Sequence, residues 1–187
     1  MNLPRFTMKH LWAAWLVALH CGCFAQQPTH LAPNLLKNPT FEKGTEGWKF
    51  EAWYDRVAKA VKDPQVNHLG RLSIRVDQPK PTDSSLNQAV TLKPDTRYRL
   101  SGIKTHNVVK PDIAKQRPGA EGASLTIMGG YEKTPSVTGT NDWTYVSLDF
   151  TTKAKTDLKI GCRLGHYGRL VTGTAWFSEI SLVELSE

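Results

Sequence analysis

From Asn34 onward the chain alternates apolar and polar residues in short runs, each bounded by Gly, Pro, Asn or Asp. In RLSIRV the residues Leu72, Ile74 and Val76 share one phase, and in SLNQAVTL the residues Leu86, Gln88, Val90 and Leu92 do the same. RYRLSGI follows the turn KPDT, and ASLTIM, WTYVSLDF, DLKIGCRL and TAWFSEISLVEL come after it. A period of two marks a strand with one dry and one wet side, so these runs are predicted strands. With NLLKN and a strand between Trp48 and Val61, the pattern gives about nine antiparallel strands, which predicts an all-β fold, a β-sandwich.

Two segments fit the alternation poorly. In EAWYDRVAKAVKD the residues Trp53, Val57 and Val61 recur at helical spacing, but Gly47 before it and Pro64 after it suit a strand with a bulge, which is the expectation here. NVVKPDIAKQRPGAEG has two prolines, several charges and no period, and is predicted to be a long surface loop.

The N-terminus has a different character. Arg5 and Lys9 precede the apolar run Leu11–Leu19, and HCGCFAQQ follows it. This predicts a secretory signal peptide over residues 1–25, cleaved after Ala25 with the small side chains of Cys23 and Ala25 before the cut. The run is about half of the roughly 20 residues a membrane span needs. A lipidated Cys21 or Cys23 fits less well, because His20 directly precedes Cys21 and takes the aliphatic position before Cys23. Residues 26–33 read as a polar linker and residues 34–187 as one domain. The expected product is secreted or periplasmic, monomeric, and not inserted in a membrane after cleavage.

Cleavage lowers Lys and Arg from 24 to 22 against 17 acids, so the formal charge falls from +7 to +5. That is a mild bias towards anionic partners and no nucleic-acid signature. Of three cysteines only Cys162 remains, in the aliphatic phase of its strand, so a buried inert thiol and no intrachain disulfide are expected. Neither HExxH, GxSxG, a P-loop nor a dinucleotide fingerprint occurs. A hydrolase or lyase would need titratable residues such as Glu51, Asp55 and His106 gathered in one cleft.

NLLKNPTFEKGTEGW, GTNDWTYVSLDFTT and GTAWFSEISL, in that order, resemble the opening, late and closing segments of carbohydrate-binding modules of the family 4, 9 and 22 type. These are galactose-binding-domain-like jelly rolls, and the resemblance spans nearly all of Asn34–Leu185. It implies that NLLKN lies beside FSEISLVEL, and that Phe41 and Trp48 plug one end of the core. It also implies an exported, non-catalytic module that binds a polysaccharide. Members of the type often hold a structural calcium, for which Glu42, carbonyls near Gly44, and Glu179 are the candidates here. Ser178 departs from the usual acid pair, and two solvated carboxylates are an equal reading. The alternative function is a jelly roll of the cell envelope that serves structure or protein interaction and binds no sugar.

Sugar recognition needs flat apolar plates for pyranose C–H faces and planar donors for hydroxyls. The polar phases of the strands offer Arg71, Arg75, Arg99, Trp143 and Tyr145, with Lys159 and Arg163 in DLKIGCRL. Trp53, Tyr54, Tyr131 and Tyr167 adjoin predicted turns or strand ends, while Trp48 and Trp176 are expected in the core. The candidate ligand residues are therefore Trp53, Tyr54, Arg71, Arg75, Arg99, Trp143 and Tyr145 on one sheet face. Several exposed arginines suggest an acidic polysaccharide, against the plainer reading of a charged face balanced by its own acids.

Overall fold

The computed structural model describes residues 32–105, 110–111 and 121–186. The expected signal peptide, most of the expected linker, His106 and most of the expected long loop lie outside them. Among the described residues ten strands, of which one is only two residues long, form two antiparallel sheets. They are β1 (Lys49–Ala52), β2 (Lys59–His68), β3 (Arg71–Thr82), β4 (Ser84–Thr91), β5 (Arg97–Thr105), β6 (Lys110–Pro111), β7 (Ala123–Met128), β8 (Thr144–Thr151), β9 (Asp157–Leu164) and β10 (Val171–Glu184). The smaller sheet has the order β1-β4-β9-β7. The larger has β2-β3-β10-β5-β8, with β6 beside β10. This is the predicted β-sandwich, a jelly roll.

The alternation places the core. Ile74, Val76, Tyr98, Leu100 and Phe177 of the larger sheet face Leu86, Leu125, Ile160, Cys162 and Leu164 of the smaller one, all buried. Gln88 sits in the core phase because its amide replaces a strand neighbour: Lys37 N donates to Oε1 at 2.6 Å, and Nε2 donates to Lys37 O at 2.8 Å. Along β10 the inward residues are Ala175 and Phe177, then Ile180 and Leu182. The change of parity is a β-bulge at Glu179, where φ is 52° and the pairing with β5 shifts register.

Both ends of the domain close the sandwich. Leu35 N donates to Leu182 O at 2.9 Å, so the NLLKN segment runs beside β10 without forming a full ladder. Phe41 and Trp48 are buried with ring centroids 5.3 Å apart. Trp176 is also buried but projects from the other side of its sheet, where Nε1 donates to Asp63 at 2.9 Å.

The Trp48–Val61 segment differs from the predicted single strand. It breaks between β1 and β2 because its backbone donors are taken by the β3–β4 corner. Trp53 N donates to Asp83 O at 3.0 Å, and Tyr54 N and Asp55 N donate to Thr82 Oγ1 at 3.3 and 3.0 Å. Trp53 and Tyr54 are thereby turned outward and exposed.

Candidate functional site

The outward phase of the smaller sheet forms successive rows across β4, β9 and β7. One row is Ser85, Arg163 and Ser124, the next is Asn87, Gly161 and Thr126, and the third is Ala89, Lys159 and Met128. The first two rows are covered. The third opens into a cleft of about 670 Å³ whose lining includes Trp53, Tyr54, Lys155, Lys159, Arg163 and Tyr167. A smaller groove of about 310 Å³ adjoins it through Ala89 and Lys159 and continues over Asn87 towards β1.

Asp83 organises this site. It is the residue at which the chain crosses from β3 in one sheet to β4 in the other. Its carbonyl fixes Trp53, and its carboxylate accepts the backbone amides of Tyr167 and Gly168. The same carboxylate receives Arg163 Nε at 2.8 Å and Nη2 at 2.6 Å, a bidentate pair in which each side chain is 2% exposed. Burial raises the Asp83 carboxyl above its ordinary value, against the pull of Arg163.

The guanidinium lies over the Trp53 ring at 4.9 Å and over the Tyr167 ring at 4.4 Å, so two exposed aromatics rest on one buried cation. Tyr167 occupies the first central position of a two-residue turn closed by reciprocal His166 and Arg169 hydrogen bonds of 3.1 Å. Both central residues have positive φ, 45° at Tyr167 and 85° at Gly168, as a type I′ turn requires. The Tyr167 hydroxyl accepts Gly129 N at 3.0 Å, which ties the turn to the end of β7.

Behind this turn His166 is buried, and its Nε2 has no partner. Desolvation, aided by the nearby Arg163 charge, lowers its pKa to about 4. Glu121, also buried, is gripped by Arg169 at 2.6 Å, Lys133 at 3.1 Å and Ser136 at 2.9 Å. Against the desolvation of burial, these partners hold its carboxyl below the ordinary value.

The expected ligand residues do not share a face. Trp53 and Tyr54 flank the cleft, while Arg71, Arg75, Arg99 and Tyr145 project from the outer side of the larger sheet. Half-buried Trp143 precedes β8 and packs on His68 at 5.4 Å. The arginines there are occupied: Arg71 with Glu179 at 3.2 Å, Arg75 with Asp63 and Asp77 at 3.3 and 3.0 Å, and Arg99 with Asp149 through two bonds of 2.6 and 2.8 Å. Period two gives the side of a strand but not the sheet to which it belongs, so residues of two faces were read as one.

Of the two acids proposed for calcium, Glu179 accepts Arg71 and lies 2.6 Å from His68 Nδ1, whereas at Glu42 it is the backbone carbonyl that accepts the Lys62 ammonium, at 3.1 Å. Among the described residues no three His, Cys, Asp or Glu side chains gather as an ion site. For the enzymatic alternative, Glu51 accepts Asn87 and pairs with Lys49, and Asp55 accepts Val57 N, so each has a structural role. Asp83, Met128 and Lys155 were not singled out in the sequence. Asp83 at a strand junction carries no local signal for its role, because its partner Arg163 lies 80 residues away.

Residues 33–161 match a family model described as a carbohydrate binding domain, CBM 4/9. Among solved structures, a family 16 carbohydrate binding module aligns over 81% of this chain and 100% of its own, with TM-score 0.55 and 23% identity. The TmCBM61 complex with β-1,4-galactotriose gives 0.53 and 20% over 82% and 100% of the two chains. The CBM22-1 xylan-binding domain of Paenibacillus barcinonensis Xyn10C gives 0.52 and 12% over 83% and 97%. At these identities the likeness establishes the fold. The tRNA nuclease WapA of Bacillus subtilis (strain 168) is 29% identical over 162 residues, covering 80% of this chain. This chain corresponds to only 7% of that protein's length.

Proposed function

The chain belongs to the carbohydrate binding domain family CBM 4/9, and from that premise we propose that it is an exported, non-catalytic module that binds a polysaccharide in the cleft of its smaller sheet. The observation that carries this reading is the convergence of Trp53, Tyr54 and Tyr167 on one cleft. They are 45%, 60% and 41% exposed, and the backbone of each is fixed through the Thr82–Asp83 corner or the adjoining turn. Rings held in place lose little freedom when a sugar covers them. Each ring that covers about 80 to 100 Å² of apolar surface contributes roughly 2 kcal/mol. Several cooperating rings are therefore needed for useful affinity.

The cleft and the adjoining groove over Asn87 share Ala89 and Lys159, a layout that suits a chain lying along both. Arg71, Arg75, Arg99, Trp143 and Tyr145 do not line this cleft and have no part in the proposed site. Export rests on the signal peptide expected over residues 1–25, and the compartment is secreted or periplasmic. Calcium is not required by this reading.

The test is affinity electrophoresis through gels containing xylan, galactan, polygalacturonate or a sulfated galactan. Retardation by one of them, lost in Trp53→Ala and kept in Tyr145→Ala, is the expected result. Retardation lost in Tyr145→Ala instead would move the site to the larger sheet. No retardation in any gel would favour a structural or protein-interaction jelly roll.

A further inference from the structure

Two of the cations without an ion pair among the described residues, Lys155 and Lys159, stand in the cleft. Resting on the reading of the cleft as a glycan site, we infer that its ligand is anionic, with a carboxylate or sulfate group met by Lys155 and Lys159 and by the Nη1 edge of Arg163 that faces Met128.

Five charged residues line the cleft: Asp83, Lys155, Asp157, Lys159 and Arg163. Asp83 is consumed by Arg163 and buried. Asp157 accepts the Thr91 hydroxyl at 2.7 Å. Lys159 stands on β9, in the middle of the sheet, and its cross-strand neighbours are Ala89 and Met128. Neither neighbour can pair with an ammonium. Among the described residues, Lys155 and Lys159 have no ion pair within 4 Å. The outer face of the larger sheet shows the opposite arrangement, because Arg71, Arg75 and Arg99 each have a carboxylate partner.

Arg163 adds a third donor of another kind. Asp83 takes Nε and Nη2, and the remaining Nη1 reaches only the Met128 thioether, at 3.5 Å. Sulfur is a weak acceptor, and Met128 lines the cleft. An oxyanion in its place would gain a charge-assisted hydrogen bond in surroundings poor in water, since Arg163 is 2% exposed. A neutral hydroxyl could accept from Nη1 as well. The two lysines without ion pairs are what favour an acid, because an ammonium donates to a neutral hydroxyl but its charge is compensated only by a negative group.

The experiment compares polygalacturonate and a sulfated galactan, as carboxylate and sulfate probes, with neutral xylan and galactan. Binding to the intact protein is measured at about 0.05 M and about 0.3 M salt. Affinity for at least one acidic probe should exceed that for the neutral ones and weaken about fivefold or more as salt rises. The Lys155→Gln, Lys159→Gln double variant should lose about tenfold, with an unchanged unfolding midpoint. Whichever acidic probe binds more tightly identifies the anion.

Salt-independent binding to a neutral glycan, abolished by Trp53→Ala and unmoved by the lysine substitutions, would overturn the anionic ligand and leave the glycan site standing. Acidic-probe binding unmoved by the lysine substitutions would also overturn it, because the charge would then act from elsewhere. Failure of all four probes would remove both the inference and the reading on which it rests.

Discussion

Arg163 joins the packing of the crossover corner to the proposed glycan cleft. A buried ion pair is costly to form unless its geometry is good, and here both contacts are short and two rings cover the guanidinium. The aromatics are thus held by a cation that is itself fixed by the crossover corner. Its neighbour His166 gives this arrangement a pH dependence. The imidazole's pKa falls from 6.5 to about 4 in the fold, so between those values the unfolded chain binds a proton that the folded chain refuses. Stability therefore drops as pH falls through that window. From pH 6.5 to pH 5 the loss attributable to His166 is about 1.5 kcal/mol. Thermal unfolding at the two pH values should show this loss in the native chain and little of it in His166→Gln. Glu121, Asp63 and Asp149, whose carboxyls lie below their ordinary values, contribute stability that is lost only at lower pH, as it falls below the ordinary carboxylate range. The histidine window is thereby separated from theirs.

At the scale of strands, β9 carries the site and has its tightest packing at Gly161. A Cβ there would come within 3 Å of Ser85 Oγ, Asn87 Oδ1 and Thr126 Oγ1. All three neighbours are buried, and Ser85 Oγ donates to Asn87 Oδ1 at 2.6 Å. Gly161→Ala should destabilise by roughly 1–3 kcal/mol, read as a lower urea midpoint at unchanged slope. An unchanged midpoint would mean that the polar row can move aside. The strands themselves were legible, since Leu72, Ile74 and Val76, or Leu86 and Val90, alternate as a half-buried strand must. The exposed status of Trp53, Tyr54 and Arg163's strand phase was also open to inspection in the sequence. The face was not, because assignment of a strand to a sheet depends on crossovers such as the one at Asp83, which have no local period. Nor were the arginines' partners legible, as Arg99 meets Asp149 from 50 residues away. The break between β1 and β2 likewise depends on acceptors from a distant corner, Thr82 and Asp83.

The two outer faces of the sandwich differ, one carrying arginine–carboxylate pairs and one opened by a cleft, and contacts between the 34–39 segment and β10 close the sandwich that separates them. Asn34 makes part of that closure. Its Nδ2 donates to Ile180 O at 2.9 Å, and its Oδ1 accepts Leu182 N and Leu36 N, each at 3.1 Å. One side chain thus takes the place of a paired strand residue beside the β10 bulge, where a regular ladder cannot continue. Asn34→Ala leaves part-buried backbone groups unpaired and should cost about 1–3 kcal/mol. Asn34→Asp keeps the acceptor for both amides but sets a carboxylate oxygen against the Ile180 carbonyl, so it should recover only part of the loss. Urea unfolding of the two variants checks the order, with Asp between Ala and the native chain. Because β10 belongs to the larger sheet, glycan retardation should be unchanged in both variants under native conditions. Loss of retardation together with native-like unfolding would show instead that the closure positions the cleft across the core.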